Sequence, residues 1–439
     1  MREDEKLTDY AISEDEKYMR RCIQLAQNGV NGAAPNPMVG AVVAHRGRII
    51  GEGYHIRCGG PHAEVNAIRS VKDESLLSES TIYVSLEPCS HYGKTPPCAD
   101  LIISKHIPRV VVGCIDPFAK VQGRGIQKLR DAGIEVKVGV LEQECLQLNR
   151  KFMTFNRLHR PFVTLKWAES ADGFIDLKRT EMQVSLQPSE GKGAIGTAEA
   201  CQPKELSALP NERVLEGKNL VSENTAFPVN SDGKSSMGTA AVCQSLASSP
   251  KPQERNLTEE SKANGPVVFS TPLTQMAVHR QRAEHKAILV GRRTALLDNP
   301  SLTVRHWIGA SPLRLVIDKE LTLPRSLRLF DASAPTWVFT ARDVTSTEAA
   351  RYVQLDFSRD ILPQIMASLY EAQIQSLLVE GGRQLLQSFI DDGLWDEIHI
   401  ERSPLRLGSG IPSPDYSPIG HTPEVEQRFG RTFFVYRRE

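Results

Sequence analysis

Four short apolar runs, VGAVVA (39–44), IIGEGY (49–54), TIYVSL (81–86) and RVVVG (109–113), are separated by stretches of helical period, an alternation that leaves few folds open. Ser13 and Glu16 make a capping box that opens a helix running through Leu25, and a His-Arg-Gly turn joins the first two strands in a hairpin. Further helices are expected from about His62 to Val71, from about Ala99, and up to Ala132, where Gly133 closes the last of them before the short strand EVKV (135–138). Elements in that order imply an α/β sandwich with a mixed sheet between helix layers.

A second α/β region begins at the strand PFVTLKWA (161–168) and breaks off. Between 181 and 265 the composition shifts to Ser, Glu, Lys, Pro, Gly and Asn, with Phe227 as the one aromatic, which reads as a long disordered insert. Order resumes with a helix and strand in TPLTQMAVHRQRAEHKAILVG (271–291), followed by the strands RLVID, TWVFT, QSLLVE and EIHIE. Single cores seldom grow to 439 residues, so the chain divides into domains at 1–150 and 160–439.

Charge narrows the function classes. The 53 basic residues balance 53 acidic ones and no long block of one sign occurs, which favours small substrates over nucleic acid. The charged start MREDEKLTDY has no apolar segment, and no run approaches the roughly 18 apolar residues of a membrane span, so a soluble cytoplasmic protein is expected. Eight cysteines in so long a chain are no secreted disulfide scaffold; Cys22, Cys58, Cys114, Cys145, Cys201 and Cys243 read as core or loop residues.

The other two cysteines have a chemical setting. In PHAEVNAI (61–68), His62 and Glu64 stand two apart where a polar loop gives way to a helix; in EPCSHYGKTPPC (87–98), Cys89 and Cys98 are both expected at helix N-terminal ends, where the positive helix end favours thiolate. One imidazole and two thiolates leave a fourth tetrahedral position open, as a catalytic zinc site requires, and Glu64 on the same turn can carry a proton from a water there to a leaving amine. An isolated H-x-E is mostly exposed polar surface and isolated cysteines are mostly core. Their combination, H-A-E followed some two dozen residues later by P-C and a second Cys, is the zinc deaminase pattern, although eight residues separate the thiols here in place of the usual two.

That longer spacing, with PNPMVGAVV (35–43), GEGYH (51–55), PHAE, SLEPCSHYGKTPPC, DP (116–117) and GRGI (123–126), resembles the deaminase half of the bifunctional pyrimidine deaminase/reductases of riboflavin biosynthesis. The likeness continues through TLKWAESADG (164–173), HRQRAEHKAILVG (279–291), LLDNPSLTVR (296–305) and VEGGRQLLQSF (379–389), which are similar to the reductase half. The resemblance implies a cytidine-deaminase-like first domain and a dihydrofolate-reductase-like second one. It implies zinc on His62, Cys89 and Cys98, with Glu64 as the catalytic proton carrier. Asn36, His55 and Lys94 fall where polar groups could grip the base and phosphate, or serve as a turn former and solvated surface groups. The substrate implied is a phosphorylated ribosylamino-pyrimidine, deaminated and then reduced by NADPH in a homo-oligomer.

For the second half, Lys166 interrupts an apolar strand and so needs either a partner or a place at a functional strand end. By match, Arg282, Leu302, Arg305 and Glu380 line up with substrate contacts, the arginines suiting a phosphate, as does Lys166. Ala168, Thr294, Asp298 and the stretch Gly382, Arg383, Gln384, Leu385, Leu386, Gln387, Ser388 line up with nicotinamide-cofactor contacts; Gly381 and Gly382 also let the backbone approach a ligand at a helix N-terminus. Two departures stand out. The family's short Ser/Trp segment is replaced by the insert and GPVVFSTP, with Val268 or Phe269 near the Trp position, and Lys319 replaces a family serine, as a phosphate partner or as plain surface. No strand-G-x-G-x-x-G-helix unit supports a Rossmann reading. The rivals are a deaminase whose second half has lost reduction, a polynucleotide deaminase, which the neutral charge and 6% aromatics disfavour, and a non-enzymatic structural protein.

Overall fold

The computed structural model describes residues 12–30, 32–90, 92, 96–117, 122–179 and 267–438. The expected insert at 181–265, Cys201, Cys243 and Lys94 lie outside the described residues.

The first sheet has the order β2-β1-β3-β4-β5, built from β1 (Gly40–His45), β2 (Arg48–Tyr54), β3 (Thr81–Leu86), β4 (Arg109–Cys114) and β5 (Glu135–Val138). β1 runs antiparallel to both β2 and β3, and β3, β4 and β5 are parallel, so the sheet is mixed as the sequence implied. Helix α1 (Glu14–Gln27) starts at the Ser13/Glu16 capping box and packs Tyr18, Met19, Cys22 and Leu25 against one face. Helices α2 (Ala63–Arg69), α3 (Cys98–Ser104) and α4 (Arg124–Asp131) cover the other with Ala67, Ile68, Ile102 and Leu129. The glycine of β2 beneath α2 has a spatial reason: a Cβ on Gly53 would lie 2.3 Å from the Ala67 nitrogen. Gly53 therefore lets α2 approach the strand closely, which sets the position of the helix start. Cys22, Cys114 and Cys145 are buried core residues, while Cys58 is exposed.

Helices α5 (Glu142–Leu148) and α6 (Arg150–Leu158), which the sequence reading left without structure, lead into a nine-stranded sheet. Its order is β11-β10-β9-β8-β12-β6-β13-β16-β15, from β6 (Phe162–Glu169), β8 (Ala287–Gly291), β9 (Leu313–Ile317), β10 (Thr336–Thr340), β11 (Arg351–Gln354), β12 (Ser376–Glu380), β13 (Glu397–Arg402), β15 (Glu424–Arg428) and β16 (Arg431–Arg437). The strands from β11 to β13 are parallel. Such strands are buried on both faces, which is why their sequences are continuous apolar runs: in β8, Ala287 and Leu289 face one core while Ile288 and Val290 face another. Helices α7 (Pro272–Glu284), α8 (Arg292–Asp298), α9 (Ile361–Glu371) and α10 (Arg383–Asp391) flank this sheet, and β7 (Phe174–Asp176) pairs with β14 (Ile411–Pro412) beside it. The antiparallel edge hairpin β15–β16 was missed in the sequence because β15 is exposed throughout and largely polar and β16 is only half-buried.

Contacts join the two sheets through α6. Arg150 pairs with Glu397, Lys151 donates to the Glu284 carbonyl at 2.6 Å, and Phe155 stacks on Tyr370 with ring centroids 4.7 Å apart.

Candidate active sites

Three side chains converge at the N-terminal ends of α2 and α3. His62 is the residue before α2, Cys98 is the first residue of α3, and Cys89 lies in the loop after β3. From the sequence, Cys89 is expected at a helix end of its own. It sits instead against the start of α3, where the Cys98 amide donates to its Sγ at 3.3 Å and the Ala99 amide donates to its carbonyl at 3.1 Å. The positive helix end acts on both sulfurs through one helix.

The His62 Nδ1 lies 3.6 Å from the Cys89 Sγ and 3.4 Å from the Cys98 Sγ, and the three donor atoms fall within 4.8 Å of one another. Tetrahedral zinc with ordinary bond lengths spaces nitrogen and sulfur ligands about 3.5–3.8 Å apart, so this donor set fits the ion. The Cys98 thiol holds Cys89 down to about 4, and Cys89 in turn raises His62 to about 9. Glu64 is 3% exposed, and burial raises its carboxyl to about 7. It stands beside Cys98 and His62 and is free to hold or release a proton near neutrality.

A second layer holds the ligands. The Pro61 carbonyl can only accept, so His55 donates to it from Nδ1 (3.0 Å) and receives the Asn36 Nδ2 on Nε2 (3.1 Å). His55 is thus a neutral, buried ring edge-on to His62 at 5.4 Å, with both nitrogens engaged; of the expected base and phosphate contacts that are described, Asn36 is the half-buried one. Sequence reasoning passed over Glu87. Its buried carboxylate accepts from the amides of Gly123 (2.9 Å) and Gly125 (2.9 Å), pinning the loop of Cys89 to the start of α4. An acidic residue two before a ligand cysteine was the available signal.

The second site is a cleft of about 1720 Å³ at the C-terminal ends of the parallel strands. Every reductase-half residue singled out in the sequence lines it: Lys166, Ala168, Arg282, Thr294, Asp298, Leu302, Arg305, Glu380 and the run Gly382, Arg383, Gln384, Leu385, Leu386, Gln387 and Ser388. Val268, Phe269 and Lys319 line it too, so both departures from the family pattern face the same space. Lys166 has both the partner and the place its sequence setting required: strand register sets it beside Glu380. Arg282 grips Glu380 with bonds of 3.1 and 2.7 Å; burial alone would raise the Glu380 carboxyl, but Arg282 and Lys166 bring it below the usual range. Arg282 is therefore committed to a carboxylate, and of these two arginines Arg305, with no acidic partner among the described residues, is the one available to an anion. Asp298 is paired with Arg179. Gly381 and Gly382 have φ of +86° and +77°, a left-handed turn that side chains resist, and it brings backbone to the cleft floor before α10.

His279 was not foreseen. It is 5% exposed, lines the cleft, and accepts the Arg305 amide on Nδ1 at 3.0 Å; burial, then Arg282 and Arg305, lower it to about 4, so it is a neutral ring that holds the Arg305 backbone. A lone histidine on a helix gave no sequence signal.

Residues 12–114 match the cytidine and deoxycytidylate deaminase zinc-binding region, and residues 232–425 match the RibD C-terminal domain. The chain is 33% identical over 406 residues to the riboflavin biosynthesis protein RibD of Bacillus amyloliquefaciens, covering 90% of this chain and 86% of that one. The chain belongs to the RibD family. RibD of Aquifex aeolicus is 32% identical over 402 residues, 90% of this chain and 89% of that one. The crystal structure of a deaminase/reductase from Thermotoga maritima superposes with a TM-score of 0.70 at 30% identity, covering 97% of this chain and 99% of that one. As a RibD protein the chain is a bifunctional enzyme of riboflavin biosynthesis, a zinc-dependent deaminase joined to an NADPH-dependent reductase. Among the described residues no helix is long and apolar enough to cross a membrane.

Proposed function

We propose that residues 1–150 carry the deaminase and residues 160–439 the reductase, acting in turn on the two substrates named for the Thermotoga protein, a diaminohydroxyphosphoribosylaminopyrimidine and a 5-amino-6-(5-phosphoribosylamino)uracil. The observation that carries the reading is the His62, Cys89, Cys98 donor set at zinc-ligand spacing with buried Glu64 beside it. Zinc held there supplies Lewis acidity toward water, and NADPH in the cleft supplies two electrons and a proton equivalent. Glu64 takes the proton of the attacking water and returns it to the departing ammonia, and Asn36 orients the flat base. In the cleft, Lys166 and Glu380 orient the opened ribose, Arg305 holds its phosphate, and the Gly382–Ser388 turn and helix start, with Ala168, Thr294 and Asp298, carry the cofactor. A phosphorylated substrate and NADPH both fit a cytoplasmic enzyme. A homo-oligomer is tested by light scattering of the purified protein.

Supplying the diamino substrate with and without NADPH tests the assignment. Ammonia release in both arms, with NADPH oxidation and a ribityl product only in the second, is expected; ammonia release without NADPH oxidation would leave the reductase half silent and overturn the second assignment.

A further inference from the structure

The deaminase site borrows a residue from the other half. Gln375 stands directly before β12, is 8% exposed, and donates from Nε2 to the Pro35 carbonyl at 2.6 Å. Pro35 precedes Asn36 in the P-N-P turn. The other side of that turn is held from within the first half: the Asn149 side chain accepts the Met38 amide and donates to the Met38 carbonyl, both at 2.8 Å. Asn36 itself reaches His55, the ring that braces His62. The carbonyl bonded by Gln375 belongs to the peptide whose nitrogen is that of Asn36, so the bond fixes the plane from which the Asn36 side chain springs.

We infer that Gln375 is a positioning residue for deamination, supplied by the reductase sheet to hold Asn36 toward the base. The inference rests on the reading of Asn36 as a substrate contact. Burial gives Gln375 a fixed geometry, and its backbone carbonyl is anchored by the Phe162 amide at 2.9 Å. Pro35 is exposed, so water can replace the lost bond when the side chain is removed. The fold then survives and the orientation of Asn36 is what loosens. This identifies the effect as one on substrate affinity, separable from stability. Glu380 ends the strand that Gln375 precedes, so one stretch of chain carries the residue that holds the Asn36 turn and a cleft residue of the other site.

The test uses the full-length zinc-loaded enzyme with Gln375→Ala, Gln375→Glu and Gln375→Lys, measuring kcat and KM of both reactions. Loss of one such bond should raise the deaminase KM about fivefold in Gln375→Ala with kcat little changed. Gln375→Glu, which sets a carboxylate against a carbonyl, should raise it further, and Gln375→Lys, which keeps a donor, should restore most of it. Reductase constants should stay within about twofold. Wild-type deaminase KM in both Gln375→Ala and Gln375→Glu would overturn the inference, and so would an equal loss in both reactions. Asn36→Ala separates this from the underlying reading: an unchanged deaminase KM there removes Asn36 as a substrate contact whatever Gln375 does.

Discussion

At the candidate zinc site the donors come from His62 and the short segment 89–98 and lie within 4.8 Å of one another, whereas the reductase cleft of about 1720 Å³ gathers residues from 166 to 411. The first is bounded by a coordination shell, so a few residue types must recur at fixed, short spacing. The second lies at the ends of the parallel strands β6, β8, β9 and β12 and draws its side chains from several distant stretches of chain. A small site with strict valence concentrates its chemistry in few positions; a broad cleft spreads binding over many.

The largest effects should fall on the small site. His62→Ala, Cys89→Ser or Cys98→Ser should strip zinc and abolish deamination with reduction of the deaminated intermediate intact, measured by metal analysis and separate assays. Glu64→Gln should keep zinc yet lose roughly 10²–10⁴ in kcat. Full turnover in Glu64→Gln would break the assignment of the proton carrier.

In the cleft, Arg282→Ala removes both hydrogen bonds to the Glu380 carboxylate and leaves only Lys166 near it, and losing bonds to a charged group costs roughly 1.5–3 kcal/mol. Reduction should be lost and the second half should unfold earlier in a denaturant titration, while ammonia release in native buffer persists. If both activities vanished in folded, zinc-loaded protein, the two sites would not be separate.

A smaller change is expected at Arg305. If exposed Arg305 holds the phosphate as proposed, its removal should raise the reductase KM about tenfold and leave kcat nearly unchanged. An equal effect on a substrate lacking phosphate would reassign the residue.

The smallest effect on turnover should come from Glu397, which lies between the halves. Burial would raise its carboxyl, but the His399 hydrogen bond and the Arg150 and Arg437 charges outweigh it and set it at about 2. A lowered folded value stabilises above the unfolded value of about 4.3, and the contribution, up to about 3 kcal/mol, is lost as pH falls from about 5 to 2. Glu397→Gln should flatten that acid branch of stability against pH, read by thermal melts, with both rates near wild type at neutral pH.

The comparison also explains what could be read before the structure. The candidate set His62, Glu64, Cys89 and Cys98 could be picked out because zinc and a proton carrier demand particular atoms, and the alternation of runs such as TIYVSL and RVVVG with helices was legible because parallel strands must be apolar on both faces. The cleft contacts were reached through resemblance, since an isolated Thr294 or Leu302 announces nothing on its own. What the chain alone determined is therefore its α/β periodicity, the capping box at Ser13 and the zinc donor set, all properties of local spacing. What only tertiary structure decided is the pairing: that Cys89 leans on the helix of Cys98, that Arg282 pairs with Glu380 while Arg305 has no acidic partner among the described residues, that Glu87 pins α4, and that Gln375 reaches Pro35. Such partners lie up to 340 residues apart, and a hydrogen bond depends on distance and angle in space, for which sequence separation carries no information.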